Sequence, residues 1–155
     1  MPGTGKSSVS INLKKKLKNS VVLTSESFKK AIVGYDEKRK CKIIDVKIYS
    51  NELKKFLKKY HWDYIIIESL FAGEIKNKNI VSCFILRCNE KELFKRLKKR
   101  GYSKKKINEN IEAELCNYCG QEAFENQKNI IEINTTRLNP KKTALKCLKY
   151  LQEKK

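Results

Sequence analysis

The stretch that decides the fold is Met1-Pro2-Gly3-Thr4-Gly5-Lys6-Ser7-Ser8. Gly5-Lys6-Ser7 closes a phosphate-binding loop of the form G-x-x-x-x-G-K-[ST], whose opening Gly would fall one position before Met1. Gly3 and Gly5 let bare backbone approach a phosphate with no side chain in the way. Their N–H groups, with those of Lys6 and Ser7, form an anion-binding concavity at a helix N-terminus. Lys6 is expected to reach the β- and γ-phosphates of a nucleotide, and Ser7 to offer a hydroxyl to Mg²⁺. The rival reading is a Gly-rich tail ahead of a helix. Against it, Val9, Ile11, Leu13 and Leu17 follow at helical spacing, with Lys14, Lys15, Lys16 and Lys18 outside. A loop that opens an amphipathic helix is the context this motif requires.

A buried strand, usually central in the sheet, feeds such a loop. None precedes Met1 in the sequence. The expectation is a three-layer α/β P-loop NTPase fold with a central parallel sheet that lacks its first strand. The gap would leave two unpaired edges and uncovered apolar surface.

At 155 residues the chain suits one domain with a real core. No apolar run approaches a membrane span, and no membrane partner is expected. The net charge is +19, from 36 basic and 17 acidic residues. That balance suits a polyanion such as RNA, and nucleotides too. Thirty-one of the basic residues are Lys and five are Arg, a pattern that an A/T-rich genome also writes onto solvated faces. The six cysteines read as free thiols, because Cys116-x-x-Cys119 has no second pair and His61 is the only histidine.

The pattern predicts alternating strands and helices. Val21–Leu23 reads as a short strand and Phe28–Ile32 as a short helix. Gly34–Glu37 reads as a turn and Lys38–Lys42 as a charged loop. A helix follows from about Asp45 to Tyr60. Tyr64-Ile65-Ile66-Ile67-Glu68 is the clearest strand, apolar on both faces as in a parallel sheet. Ile80–Leu86 is a second buried strand, and Asn89–Arg100 a helix stopped by Gly101. One further helix is expected from Ser103 to about Asn126, then a strand at Ile130–Ile133 and a helix opened by Pro140.

Three groups stand where phosphoryl transfer needs them. The first is the loop. The second is Glu68, at the carboxyl end of a buried strand, where ligands collect in open α/β sheets and a carboxylate can hold Mg²⁺. The third is Arg96 and Arg100, four apart on one helix face, a pair of forks suited to clamping a phosphoryl group. Gly101 then offers a hinge for a lid.

Pro2-Gly3-Thr4-Gly5-Lys6-Ser7-Ser8, with Gly34-Tyr35-Asp36-Glu37, Cys41, Ile44-Asp45, Ile85-Leu86-Arg87 and the run Arg96–Ser103 continuing through Lys105-Lys106, Asn110-Ile111 and Glu114, resemble the atypical adenylate kinase isoenzyme 6 family. The resemblance covers nearly the whole chain and implies a nucleoside monophosphate kinase-like domain over residues 1–155. It implies a monophosphate-binding region at about 24–44 and a short lid at about 99–109. Gly3, Gly5, Lys6, Ser7, Ser8 and Arg100 would hold ATP, with Mg²⁺ at Ser7 and Glu68. Lys6, Arg96 and Arg100 would act on the phosphoryl group moving to AMP, or to water. The family also implies a role in small ribosomal subunit maturation, a ribosomal-protein partner, pre-ribosomal RNA, and a nuclear and cytoplasmic location. Two positions depart from its pattern. Its strand-end motif is similar to D-x-H and here reads Glu68-Ser69-Leu70, and Lys30 stands where an arginine is expected. These departures keep a second expectation open, a non-catalytic or ATPase-only assembly factor.

Overall fold

The structure is a computed structural model and describes residues 1–153. It runs α1 (Lys6–Lys14), β1 (Ser20–Thr24), a 3-10 turn (Lys29–Ala31), β2 (Ile32–Asp36), β3 (Cys41–Ile44) and α2 (Val46–Lys59). Then come β4 (Tyr64–Glu68), a 3-10 turn (Ala72–Glu74), β5 (Cys83–Arg87), α3 (Glu90–Lys99), α4 (Lys104–Leu115), α5 (Tyr118–Asn126), β6 (Ile130–Asn134) and α6 (Pro140–Gln152).

β1 lies parallel to β4, with Ser20 opposite Tyr64 and Thr24 opposite Glu68. β5 lies parallel to β6, from Cys83 opposite Ile130 to Arg87 opposite Asn134. Alternation along the strands shows how the two pairs lie. Tyr64 and Ile66 of β4, Phe84 and Leu86 of β5, and Ile131 and Ile133 of β6 all pack with Val9 and Leu13 of α1 and Ala144 and Cys147 of α6. Ile65 and Ile67 turn the other way and join Val21, Leu23, the α2 residues Tyr49 and Leu53, and Ile75. One helical layer, α1 with α6, therefore serves both parallel pairs. This is the α/β layered fold of a P-loop NTPase. The sheet is divided, however: β4 and β5 are not hydrogen-bonded to each other.

Three local expectations are corrected. Residues 34–42 do not form a turn and loop; β2 and β3 make an antiparallel hairpin, with Ile32 opposite Ile44 and Tyr35 opposite Lys42. The turn sits further on, where Lys40 takes φ +49°. The dense charge between the strands hid their short alternation. The helix expected from Ser103 to Asn126 is broken at Asn117, which sits in the left-handed region at φ 52°. Asn tolerates that conformation better than most residues. The break presents the Asn117 Oδ1 to Arg87, which also donates to Glu114 Oε1 at 2.7 Å and to the Glu114 carbonyl at 2.7 Å. The second buried strand begins at Cys83, not Ile80, because Asn77–Asn79 and exposed Val81 lead into it.

Candidate active site

Sequence at helix starts shows which end of the molecule is left for a ligand. Asp45, Asn89, Ser103 and Asn139 cap α2, α3, α4 and α6, each accepting a hydrogen bond from a backbone N–H in the first turn. α1 has no such cap. Its N-cap is Gly5, in the left-handed region at φ 100°, and no acidic side chain lies in its first turn. The positive end of its dipole and its unpartnered N–H groups remain for an outside anion. Nothing lies within 4 Å of where a Gly5 Cβ would stand, so the concavity is open.

The loop ahead of α1 is held from behind. Gly3 (φ 82°) packs so tightly that a Cβ there would meet Leu93 Cδ1 at 2.6 Å. Thr4 is fully buried. The Thr135 hydroxyl, just past β6, lies 3.0 Å from the Thr4 carbonyl and 2.9 Å from the Arg87 carbonyl. Thr135 also donates its backbone N–H to Arg87 O at 2.8 Å, which closes the β5–β6 end onto the loop.

Lys6 donates to the Met1 carbonyl at 2.8 Å. Burial pushes its ammonium below the usual lysine range. The Glu68 carboxylate opposes that shift, and the Arg100 charge adds to it. Lys6 is the group on which both of these charges act. Glu68 is half-buried at the end of β4, opposite Thr24. Ser7 and Ser8 are exposed on the first turn of α1. Oxygen donors such as the Ser7 hydroxyl and the Glu68 carboxylate suit Mg²⁺, and an uncapped helix start with an adjacent lysine suits a polyphosphate. The residues present fit both groups.

Arg96 and Arg100 part company. Arg96 Nε pairs with Glu92 at 2.9 Å, and its other nitrogens reach the Thr135 carbonyl at 2.9 Å, the Thr135 hydroxyl at 3.3 Å and the Gly3 carbonyl at 3.4 Å. In this arrangement Arg96 ties α3 to the loop. Arg100 is the exposed C-cap of α3. Gly101 N–H donates to Lys98 O and Tyr102 N–H to Leu97 O, a Schellman cap that fixes where Arg100 leaves the helix. Gly101 is thus a helix stop with a positive φ of 74°. The expected lid helix, α4, reaches the hairpin: Lys106 Nζ donates to the Arg39 carbonyl at 2.7 Å. Lys30 is exposed, and so is Leu70.

Sequence reasoning missed Thr135 and the role of Glu114. A polar Asn-Thr-Thr directly after a buried strand was the available signal for the first. For the second, Glu114 sits four residues after Asn110 on an apolar helix face, and is buried there.

A family model described as an AAA domain matches residues 1–117. A "Putative adenylate kinase" from Methanosarcina acetivorans is 38% identical over 149 residues, covering 92% of this chain and 78% of the relative. One of the same name from Methanosarcina barkeri is 41% identical over 137 residues, covering 87% and 73%. The chain belongs to this adenylate-kinase-like P-loop family. A third relative of that name, from Saccharolobus solfataricus, is 31% identical over 150 residues, covering 95% of the chain and 78% of its own length. The matched stretch includes the loop, Lys6 and α1. No helix among the described residues is long and apolar enough to cross a membrane.

Proposed function

We propose that the chain is a Mg²⁺-dependent adenylate kinase of the isoenzyme 6 type, which moves the γ-phosphoryl group of ATP to AMP, and to water when AMP is absent. The observation that carries this reading is the uncapped start of α1 with the half-buried Lys6 on its first turn, whose lowered pKa is opposed by the Glu68 carboxylate and deepened by the Arg100 charge. The loop N–H groups and Lys6 would grip the polyphosphate, and Ser7 and Glu68 would hold the metal. Bound Mg²⁺ would supply charge neutralisation at the phosphate oxygens. Lys6 and Arg100 would stabilise charge on the transferred group, so catalysis is positioning and electrostatics. Arg96 would serve by holding the loop in register with α3.

The test is ADP formation from Mg·ATP with and without AMP. Two ADP per ATP consumed, stimulated by AMP, is expected. Lys6→Ala should lower turnover by about a thousandfold or more, with unchanged circular dichroism and melting temperature. Unchanged ADP formation in that variant sinks the assignment.

The Lys6 shift gives a pH test. A bound polyphosphate favours the ammonium and raises the lysine's pKa from its depressed value. Below the depressed value Lys6 is charged in both states and no proton moves. Above it, binding takes up a proton, so ATP affinity falls as pH rises through that window. Calorimetry in buffers of different ionisation enthalpy should show the uptake, and Lys6→Ala should abolish it.

A second reading is favoured by Leu70 and Lys30, which lack the histidine and arginine that the family pattern has at these places. It makes the chain a small-subunit assembly factor that binds RNA or a ribosomal protein without kinase turnover, and the +19 charge supports it. RNA binding with a steep salt dependence, indifferent to ATP, would decide for it.

A further inference from the structure

The phosphate loop lies at the carboxyl ends of the strands, where Glu68 acts on Lys6 and the Thr135 hydroxyl reaches the Thr4 carbonyl. The opposite end carries a surface that this chemistry does not use. β1 and β4 start there side by side, Ser20 opposite Tyr64. Two loops lead into them, residues 15–19 after α1 and 60–63 after α2. The loops adjoin: Asp63 N–H donates to the Asn19 carbonyl at 3.0 Å, and the Asn19 side chain donates to Asp63 Oδ1 at 3.1 Å. The first loop is pinned, since Leu17 is buried and the Ser20 hydroxyl donates to the Leu17 carbonyl at 2.7 Å.

Residues 12–19 and 53–62 hold eight lysines and no acidic residue, and all eight lysines are exposed. Lys55 pairs with Glu52 at 2.6 Å. Beside the lysines stand two large aromatics that folding leaves in solvent. Tyr60 is 45% exposed, and Trp62, the only tryptophan, is 40% exposed. Tyr60 is held by Phe56, with ring centroids 4.9 Å apart, and the Lys59 ammonium lies 5.3 Å from the Tyr60 centroid. A/T-rich coding accounts for lysine on a solvated face. It does not account for an exposed tryptophan among the lysines. Cations that neutralise phosphates and aromatic faces that stack bases are the two parts of a platform for single-stranded nucleic acid.

We propose that this end of the molecule binds single-stranded RNA, with Trp62 and Tyr60 stacking on bases and Lys15, Lys18, Lys58 and Lys59 on the backbone. The proposal rests on the RNA contact of the second reading above and gives it a place. It asks nothing of the nucleotide site, which lies at the other end of β1 and β4. A single strand fits better than a duplex, because a duplex keeps its base faces stacked inside and leaves the two aromatics nothing to cover. An anionic lipid surface would use the lysines equally, but it also needs apolar side chains to insert. Those of this end turn inward: Leu17 and Leu53 are buried, and Phe56 and Leu57 pack with Leu23 and Tyr49.

The test measures binding of an oligouridylate of about 12 nucleotides to the full chain across a salt series, without ATP. Trp62→Ala should weaken binding by about tenfold or more, and Trp62→Phe should restore most of it by returning a ring that stacks. Changing Lys15, Lys18, Lys58 and Lys59 together to Gln should make the slope of log affinity against log salt shallower by about 2–3. The same change at Lys91, Lys95, Lys104 and Lys105, exposed on α3 and α4, should leave the slope nearly as it was. Melting temperature should hold in the Trp62 variants and the first lysine variant, and their ATP turnover should match that of the unchanged chain. Binding unmoved by Trp62→Ala, or equal losses from the two lysine sets, overturns this surface and leaves the RNA reading standing. No binding of the oligouridylate at low salt overturns both. Tighter binding of an RNA duplex of the same length overturns the proposal in favour of a backbone reader. Tighter binding of phosphatidylserine vesicles, lost in Trp62→Ala, overturns it in favour of a membrane surface.

Discussion

The phosphate loop and the β2–β3 hairpin are both short, glycine-bearing segments, and they are held in opposite ways. The loop is gripped from three directions: Thr135 bonds the Thr4 carbonyl, Arg96 reaches the Gly3 carbonyl, and Leu93 and Leu97 press on Gly3. The hairpin stands out from the body. Val33, Tyr35 and Ile43 are about half exposed, at 56%, 51% and 49%. It is tied down at its base, where Asp45 N–H donates to Ala31 O, and by surface contacts such as Lys42 with Glu26 and Lys106 with Arg39. The lesson concerns division of labour. A polyphosphate grip works by presenting fixed donors, so its loop is built into the core. In the proposed kinase the hairpin would be the segment that admits and releases the second substrate, and such segments are drawn from the weakly held parts of a fold.

The sharpest way to break this contrast is Gly3→Ala. The position needs a left-handed backbone, and the added Cβ would meet Leu93 Cδ1 at 2.6 Å and Leu97 Cδ2 at 3.1 Å. Strain of about 1–2 kcal/mol for the conformation adds to about 1–3 kcal/mol for overpacking. The expected loss is about 3 kcal/mol in denaturant unfolding, with ATP binding falling alongside. Near-native stability would mean that the loop is not built into the core.

Thr135→Val should come next, at about 1–2 kcal/mol, because it removes the hydroxyl between the Thr4 and Arg87 carbonyls while nearly conserving shape. The KM for ATP should rise more than the KM for AMP if Thr135 serves the polyphosphate end. Equal effects on both would place its influence in the fold as a whole.

Much of this contrast was legible in the sequence, but unevenly. The loop and α1 were plain because glycine, lysine and serine there are required by chemistry as well as by backbone. The Tyr64–Glu68 strand was plain because a β-branched run apolar on both faces has few other uses. The hairpin was not: its strands have five and four residues, too short for the alternation of β2 to stand out beside the charged run that joins them. Arg96 is a related case. Spacing placed it on the face of Arg100, but spacing cannot show that Thr135, thirty-nine residues later, would take up its donors. The parallel strands form two separate pairs, β1 with β4 and β5 with β6. Which two pairs would result was a matter of long-range packing on α1 and α6.

The smallest expected effect is the one that makes the comparison quantitative. Gly34→Ala puts the same methyl group into the hairpin. Its backbone is not in the left-handed region, and the nearest atom to the new Cβ is Ile43 Cδ1 at 3.5 Å, an ordinary contact with the end of a half-exposed side chain. No strain and no clash are introduced, and alanine loses less backbone freedom on folding than glycine does. The change should fall within about 0.5 kcal/mol of zero, and its sign should favour the folded state if the hairpin is ordered in solution. Measured beside Gly3→Ala under the same conditions, the pair differs by about 3 kcal/mol for one identical chemical change. A destabilisation of Gly34→Ala by more than about 1 kcal/mol would show that the hairpin packs against something on its exposed face, and the division between a rigid grip and a loosely held partner segment would then have to be redrawn.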